Sequence, residues 1–314
     1  MNAFHKITPV VIAFLARLVE MQIALYEKIT GKFLTFHRRP MYAKDVITTP
    51  IAGSDYSNCA IVLQGPLLKS HHFTLETVRI YKKHFPQALI VISTWNNEDS
   101  SYIDKIKQEA VVLLHDKPKY NGPYNINFQI ISTCAGIQFA RDKKVQYILK
   151  TRTDQRMYNP FLLESLIDLI THFPVHDGFH QKKRLVGLSC GNMRGDYYRL
   201  ADMFLFGDTD DMLLYWAVDL VADQNLEKNI APEAYLFREY LKKIGGNPSL
   251  TLQDSECAYR KHCLFIDPVL VDWYWYKYKR HREFRYTKYS NKTQRSISFL
   301  EWLHVFVHDK SRRE

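Results

Sequence analysis

Cys59-Ala60-Ile61-Val62-Leu63 is an unbroken apolar run, and Gln64-Gly65-Pro66 ends it. A strand with one wet face alternates apolar and polar residues. An unbroken short run instead marks a strand buried on both faces, the situation inside a parallel sheet covered by helices. The residues that follow repeat this pattern. Leu75, Val78, Ile80 and Tyr81 give residues 74–84 a helical spacing that closes at Phe85-Pro86, and residues 88–94 form a second apolar run. Residues 101–109 and 126–141 then predict helices, and residues 110–114 and 146–150 predict the third and fourth strands. Strands alternating with helices at this spacing predict βαβ units with right-handed crossovers. The fold class is therefore α/β, a Rossmann-like and mostly parallel sheet flanked by helices. Further on, residues 185–188 and 203–206 predict short strands, 212–221 and 233–243 predict helices, and 264–266 an edge strand.

Outside this core the chain changes character. Val11, Phe14, Leu18, Met21 and Leu25 recur at three and four residues, an amphipathic helix stripe that either docks on the domain, the commoner fate, or lies on a membrane. The apolar run 9–16 is too short for a membrane span, Arg17 and Glu20 interrupt it, and no small-x-small cleavage pattern follows. Residues 31–57 carry turn formers and mixed charge. The predicted organisation is an N-terminal amphipathic helix and linker (1–57), a binding and catalytic domain (58–270) and an aromatic-basic C-terminal tail (271–314). In that tail Trp273, Tyr274, Trp275, Tyr276, Tyr278, Phe284 and Tyr286 interleave with Lys277, Lys279, Arg280, Arg282, Arg285 and Lys288. Such a segment either packs on the domain or lies at an anionic membrane surface. No nucleic-acid partner is expected.

Twelve Gly and twelve Pro in 314 residues argue against repeat, collagen-like and disordered architectures. The net charge of +10 points to an anionic partner, whether nucleic acid, an anionic lipid or a phosphorylated substrate, and the tail's composition ranks nucleic acid last. Cys59, Cys134, Cys190, Cys257 and Cys263 are odd in number and scattered, which favours a reducing compartment over a disulfide framework or a zinc site. The expected location is cytoplasmic, peripheral to the inner face of the inner membrane.

Several chemistries are disfavoured by missing motifs. No G-x-G-x-x-G follows the first strand, and there is no Walker loop, G-x-S-x-G or H-E-x-x-H. What remains is polar residues at strand ends, where ligands bind in open α/β sheets. Lys150-Thr151-Arg152-Thr153-Asp154-Gln155-Arg156 brings cations and one carboxylate to the end of the fourth strand. Lys150 and Arg152 are suited to phosphate, and Asp154 to a divalent cation bridging a diphosphate; a salt-bridged strand end reads the same way. Asn125 and Asn127 open a helix, as caps or beside free amides that suit phosphate. Asp202 precedes an apolar strand, either as a paired structural acid or as a site residue. Glu233 follows Pro232 in a first helical turn, which helix-end stability alone would explain, and a general base would look identical. His304 and His308 share a helical face, a spacing that is more often incidental than metal-binding.

Ordered together, residues 61–67, 81–86, 90–95 (IVISTW), 127–133, 149–156 (LKTRTDQR), 202–207 (DMFLFG) and 232–236 resemble the WavE lipopolysaccharide-synthesis family of glycosyltransferases across roughly residues 58–270. The resemblance implies a GT-A-like fold, a nucleotide-sugar donor and a lipid-linked lipopolysaccharide-core or capsular saccharide as acceptor. It favours Asp154 as the donor-site acid and makes Gln64, Gly65, Thr94 and Asn127 candidates for the nucleotide pocket, beside Lys150 and Arg152. Glu233 or Asp202 is then the candidate general base. Many GT-A enzymes carry Asp-x-Asp where this chain reads Arg152-Thr153-Asp154, which puts a need for manganese or magnesium in doubt. The rival readings are a sugar nucleotidyltransferase, which usually needs a Gly-rich loop after the first strand, and a non-catalytic membrane-associated scaffold of polysaccharide assembly.

Overall fold

The computed structural model describes residues 9–31, 55–175, 178–192, 195–222, 231–278 and 297–310. The chain divides into two compact units, Met1–Asp45 and Val46–Glu314. In the first, α1 (Pro9–Thr30) is a helix of 22 residues. Val11, Phe14, Leu18, Met21 and Leu25 of the predicted stripe are all exposed on it. Among the described residues no helix is long and apolar enough to cross a membrane.

The second unit opens with β1 (Cys59–Gln64), α2 (Phe73–His84), β2 (Leu89–Trp95), α3 (Ser100–Lys107), β3 (Val111–His115), α4 (Ile126–Asp142) and β4 (Tyr147–Arg152). These four strands pair in parallel as β3-β2-β1-β4. The predicted βαβ units are present. All six residues of β1 are buried, as its unbroken apolar run requires. Ile61, Val62 and Leu63 each contribute about 1.5–3 kcal/mol by burial. Next come β5 (Gln155–Met157), α5 (Leu162–His172), β6 (Leu185–Leu188), β7 (Leu205–Asp208), α6 (Thr209–Trp216), α7 (Pro232–Lys243), α8 (Leu252–His262), β8 (Cys263–Ile266), α9 (Pro268–Val271), β9 (Trp273–Trp275) and α10 (Phe299–Lys310). β7 joins β4 antiparallel, β6 joins β7 antiparallel and β8 runs parallel to β6, which completes a seven-stranded, mostly parallel sheet.

The second half departs from the sequence expectation in register. The strand expected at 203–206 lies at Leu205–Asp208, and the helix expected at 212–221 starts at Thr209 and ends at Trp216. Asp208 explains the early start: its side chain accepts a hydrogen bond from the Asp210 amide at 2.9 Å and caps the helix. Helices α5 and α8 and the small β5-β9 sheet add to the predicted elements.

The structure draws no boundary at residue 270. β9 pairs antiparallel with β5, and Trp302 of α10 is 2% exposed, edge-on to Phe173. Both belong to the same compact unit as the sheet. The basic residues Lys279, Arg280, Arg282, Arg285 and Lys288, with Phe284 and Tyr286, lie outside the described residues.

One glycine sets how closely a helix approaches the sheet. α4 packs across β1 and β2, and a Cβ at Gly136 would stand 2.5 Å from Cγ1 of Val62. Val62 is β-branched and fully buried, so it has little freedom to yield. Gly136→Ala is therefore expected to lower stability by roughly 1–2 kcal/mol, even after the gain of ~1 kcal/mol in helix propensity. A urea denaturation midpoint at or above the wild-type value would refute this.

Candidate active site at the carboxyl ends of the parallel strands

The register of β1 and β4 places Gln64 opposite Arg152 and Gln64 opposite Ser93 of β2. β1 and β4 therefore end level, and β2 runs two residues further to Trp95. Beyond β1 the chain turns at Gly65, whose φ of 114° is a backbone conformation that favours glycine. The turns after β1 and β4 are laced together: Thr153 donates its amide to the Gln64 carbonyl at 3.1 Å and its hydroxyl to the Pro66 carbonyl at 2.6 Å.

At the end of β4 the acid and the cation meet. Arg152 Nε donates to Asp154 Oδ1 at 2.9 Å. The other carboxylate oxygen accepts from the Trp275 indole at 3.0 Å, and the Tyr276 amide donates to the Asp154 carbonyl at 2.9 Å. Trp275 also presents its ring 5.6 Å from the Arg152 guanidinium. The aromatic segment expected in the tail thus folds back over the strand end. The terminal nitrogens of Arg152 make no hydrogen bond among the described residues and remain suited to phosphate. As a metal ligand Asp154 fits poorly. Each of its oxygens already accepts a hydrogen bond, and a guanidinium stands where a cation would. Among the described residues no cluster of three His, Cys, Asp or Glu could hold a metal ion. His304 is exposed on α10, and the His308 side chain lies outside the described residues.

Deeper along β4 lies Lys150, fully buried. Its ammonium donates to the Asp202 carbonyl and stands 4.7 Å from the centroid of the Trp216 ring. Burial pulls Lys150 down to about 8, with the charge of Asp202 acting in the opposite sense. Asp202, Arg152, Asp154 and Glu233 all lie within electrostatic reach of this lysine. Asp202 is 7% exposed, and its Oδ2 has no hydrogen-bond partner among the described residues. Glu233 sits in the first turn of α7 behind Pro232. Burial, followed by the neighbouring Asp202 charge, pushes its carboxyl above the usual range. Arg199 Nε is 4.0 Å from Glu233 Oε2, close enough to hold that carboxylate without neutralising it by a direct hydrogen bond.

The other sequence candidates are already engaged within the fold. Gln64 is buried and accepts from Ser132 Oγ at 3.2 Å. Thr94 reaches Glu98 at 3.4 Å, and the same carboxylate oxygen accepts the Leu67 amide. Asn127 donates to the carbonyls of Tyr120 (3.0 Å) and Val221 (2.8 Å) and accepts from the Val221 amide. Its amide is fully used as a clamp. Asn125, at the N-cap position, is left-handed (φ 63°) and makes no side-chain cap. Sequence reasoning missed Arg199, Trp216 and the role of Trp275. Their partners are far apart in the chain, and no local spacing marks them.

The family model described as WavE lipopolysaccharide synthesis matches residues 59–245, the segment that carries Arg152, Asp154, Asp202 and Glu233. The chain belongs to this family. Among solved structures, a cytidylyltransferase from Leptospira borgpetersenii serovar Hardjo-bovis is 13% identical, with a TM-score of 0.37 over 81% of this chain and 95% of that one. A 4-diphosphocytidyl-2C-methyl-D-erythritol synthase is 12% identical, with a TM-score of 0.35 over 64% and 87%. CMP:2-keto-3-deoxy-manno-octonic acid synthetase complexed with CTP is 10% identical, with a TM-score of 0.33 over 62% and 86%. No curated protein sequence matches the chain.

The buried lysine has a titration signature independent of activity. Below about pH 8 the folded chain carries the full cost of burying its charge. Between there and the ordinary 10.5 the unfolded chain binds the extra proton, so this group's contribution to stability rises with pH. Urea unfolding of wild type and Lys150→Met across that window isolates the effect. Wild type should gain on the variant as pH rises, and a constant gap would contradict a buried, proton-binding Lys150.

Proposed function

We propose that this WavE-family chain is a glycosyltransferase that moves a sugar from a nucleotide-sugar donor to a hydroxyl of a lipopolysaccharide-core or capsular saccharide. The observation that carries the reading is the placing of two opposite functions around Lys150. The Arg152 guanidinium, held by Asp154 and Trp275, and the Asp202 and Glu233 carboxylates all lie within electrostatic reach of this one buried lysine.

Transfer makes a bond from the acceptor oxygen to the anomeric carbon and breaks the bond from that carbon to the phosphate oxygen. The leaving nucleoside diphosphate takes the electron pair, and its growing negative charge needs a positive group already in place. Arg152 fills that role, with its geometry fixed by Asp154 and the Trp275 ring, and the buried Lys150 adds to the positive field. A metal ion, manganese or magnesium, is not required for this step. Meanwhile the acceptor hydroxyl loses its proton to a carboxylate. Glu233 is the better candidate: it is less enclosed than Asp202, with 20% of its side chain exposed, and it faces Arg199. Its raised pKa brings it closer to working pH, where a general base is most effective.

Location is part of the same proposal. All five cysteines are free, which supports a reducing, cytoplasmic setting. The exposed Phe14, Leu18, Met21 and Leu25 of α1 support attachment to a membrane surface, where a lipid-linked acceptor resides.

A thermal-shift screen of UDP-, GDP-, CMP- and dTDP-sugars identifies the donor, and turnover with that donor tests the roles. Glu233→Gln should lower kcat by about 10²–10⁴-fold while leaving donor affinity intact. The acid limb of the wild-type pH–rate profile should lie above the ordinary glutamate range, with rate rising as Glu233 loses its proton. Arg152→Gln should cost roughly 10²–10³-fold. Stabilisation by a nucleoside triphosphate alone, with no nucleotide sugar bound, would instead favour nucleotidyl transfer.

A further inference from the structure

A cavity of about 490 Å³ opens in the loop between β3 and α4, lined by Lys119, Tyr120, Asn121, Gly122, Tyr124 and Asn125. Its walls combine two aromatic rings, two side-chain amides and one cation. Tyr124 is 81% exposed and Tyr120 49%. Lys119 Nζ stands 5.2 Å from the centroid of the Tyr120 ring.

The backbone here is held in a costly shape. Tyr124 and Asn125 are successive non-glycine residues with φ of 52° and 63°. Left-handed residues of this kind persist where the surroundings enforce them, and they gather at ligand sites. The enforcing contact is the Asn127 clamp on the Tyr120 carbonyl. The same side chain grips Val221 through both its amide and its carbonyl. Two residues earlier, the Asp219 carbonyl accepts from the Tyr235 hydroxyl at 3.1 Å, and Tyr235 lies two residues beyond Glu233 on α7. The cavity loop is thereby fastened, through residues 219–221, to the helix that carries the candidate base.

Resting on the glycosyltransferase reading, we infer that this cavity binds the acceptor saccharide and that Lys119 meets an anionic group on it. The chemistry matches that ligand class. Tyrosine offers a rigid apolar face with a polar tip, suited to the C–H face of a sugar ring, and asparagine amides match its hydroxyls. The volume lies within the range of small-molecule sites, roughly 300–1,000 Å³. A purely apolar ligand would strand the two amides and the lysine.

Calorimetric titration of the full-length chain tests the site, with deacylated lipopolysaccharide core oligosaccharide as the probe. The probe is used in its native form, after phosphate removal and after carboxyl reduction. Tyr124 is largely exposed, so Tyr124→Ala leaves the packing of the domain untouched. It should weaken oligosaccharide binding roughly tenfold, with affinity for the donor nucleotide sugar unchanged. Lys119→Gln should abolish the preference for the native form over whichever stripped form binds less well, and that form names the anionic group as phosphate or carboxylate. Failure of wild type to bind any of the three forms overturns the site. So does unchanged binding in both variants. Loss of donor affinity in Tyr124→Ala also overturns it and assigns the cavity to the nucleoside. Tyr124-dependent oligosaccharide binding by a chain that transfers no sugar would retain the site and sink the glycosyltransferase reading instead.

Discussion

A lysine with no access to water stands inside β4, and much of the site follows from how its charge is met. An ammonium in a dry interior must be compensated in place or give up its proton. Lys150 is met on one side by the Asp202 carbonyl and on the other by the face of Trp216. Asp202 belongs to the turn before β7, and Trp216 ends the helix after it. One buried cation therefore ties the chain just before β7 and the end of α6 to β4 of the parallel sheet. Because the backbone of Asp202 meets the lysine, its carboxylate oxygen Oδ2 is left buried without a hydrogen-bond partner among the described residues. That oxygen acts on Glu233 through its charge.

The second organising contact is the return of the chain at β9. Pairing with β5 brings Trp275 and Tyr276 to Asp154, some 120 residues earlier in the sequence. Tyr274 and Tyr276 also pack on Phe73 of α2, and the Arg156 guanidinium lies 4.3 Å from the same Phe73 ring. An aromatic strand, itself half-buried, thus covers the end of β4 at Asp154. Asp154 is consequently a partner of Arg152, accepting from its Nε while the Trp275 ring lies near the guanidinium; under the proposed function this orients the remaining donors for phosphate.

Much of the candidate site was legible because strand ends carry their own signal. Arg152 and Asp154 follow a buried apolar run directly, and topology brings the ends of adjacent parallel strands to one edge. Glu233 was legible only as an acid behind Pro232, a pattern that helix stability explains equally well. Its burial beside Asp202 is what supports the proposed base reading. Thr94 and Asn127 show the limit of residue-type reasoning. Both sit near the edge, yet Asn127 spends all its hydrogen bonds holding Tyr120 and Val221, and Thr94 is tied to Glu98. Arg199 and Trp216 carried no sequence signal, because their importance lies wholly in non-local neighbours.

By itself the sequence determined the parallel half of the sheet, since apolar runs such as residues 59–63 have no stable place except between two strands and under two helices. It also determined which polar residues stand at the ends of those strands. Only the tertiary structure decided which partners those residues meet. Closure of β9 on β5 brought an indole to Asp154, and the fold placed Asp202 and Glu233 within electrostatic reach of each other and of Lys150. Charge compensation in a low-dielectric interior depends on distances across the fold, and spacing along the chain does not encode them.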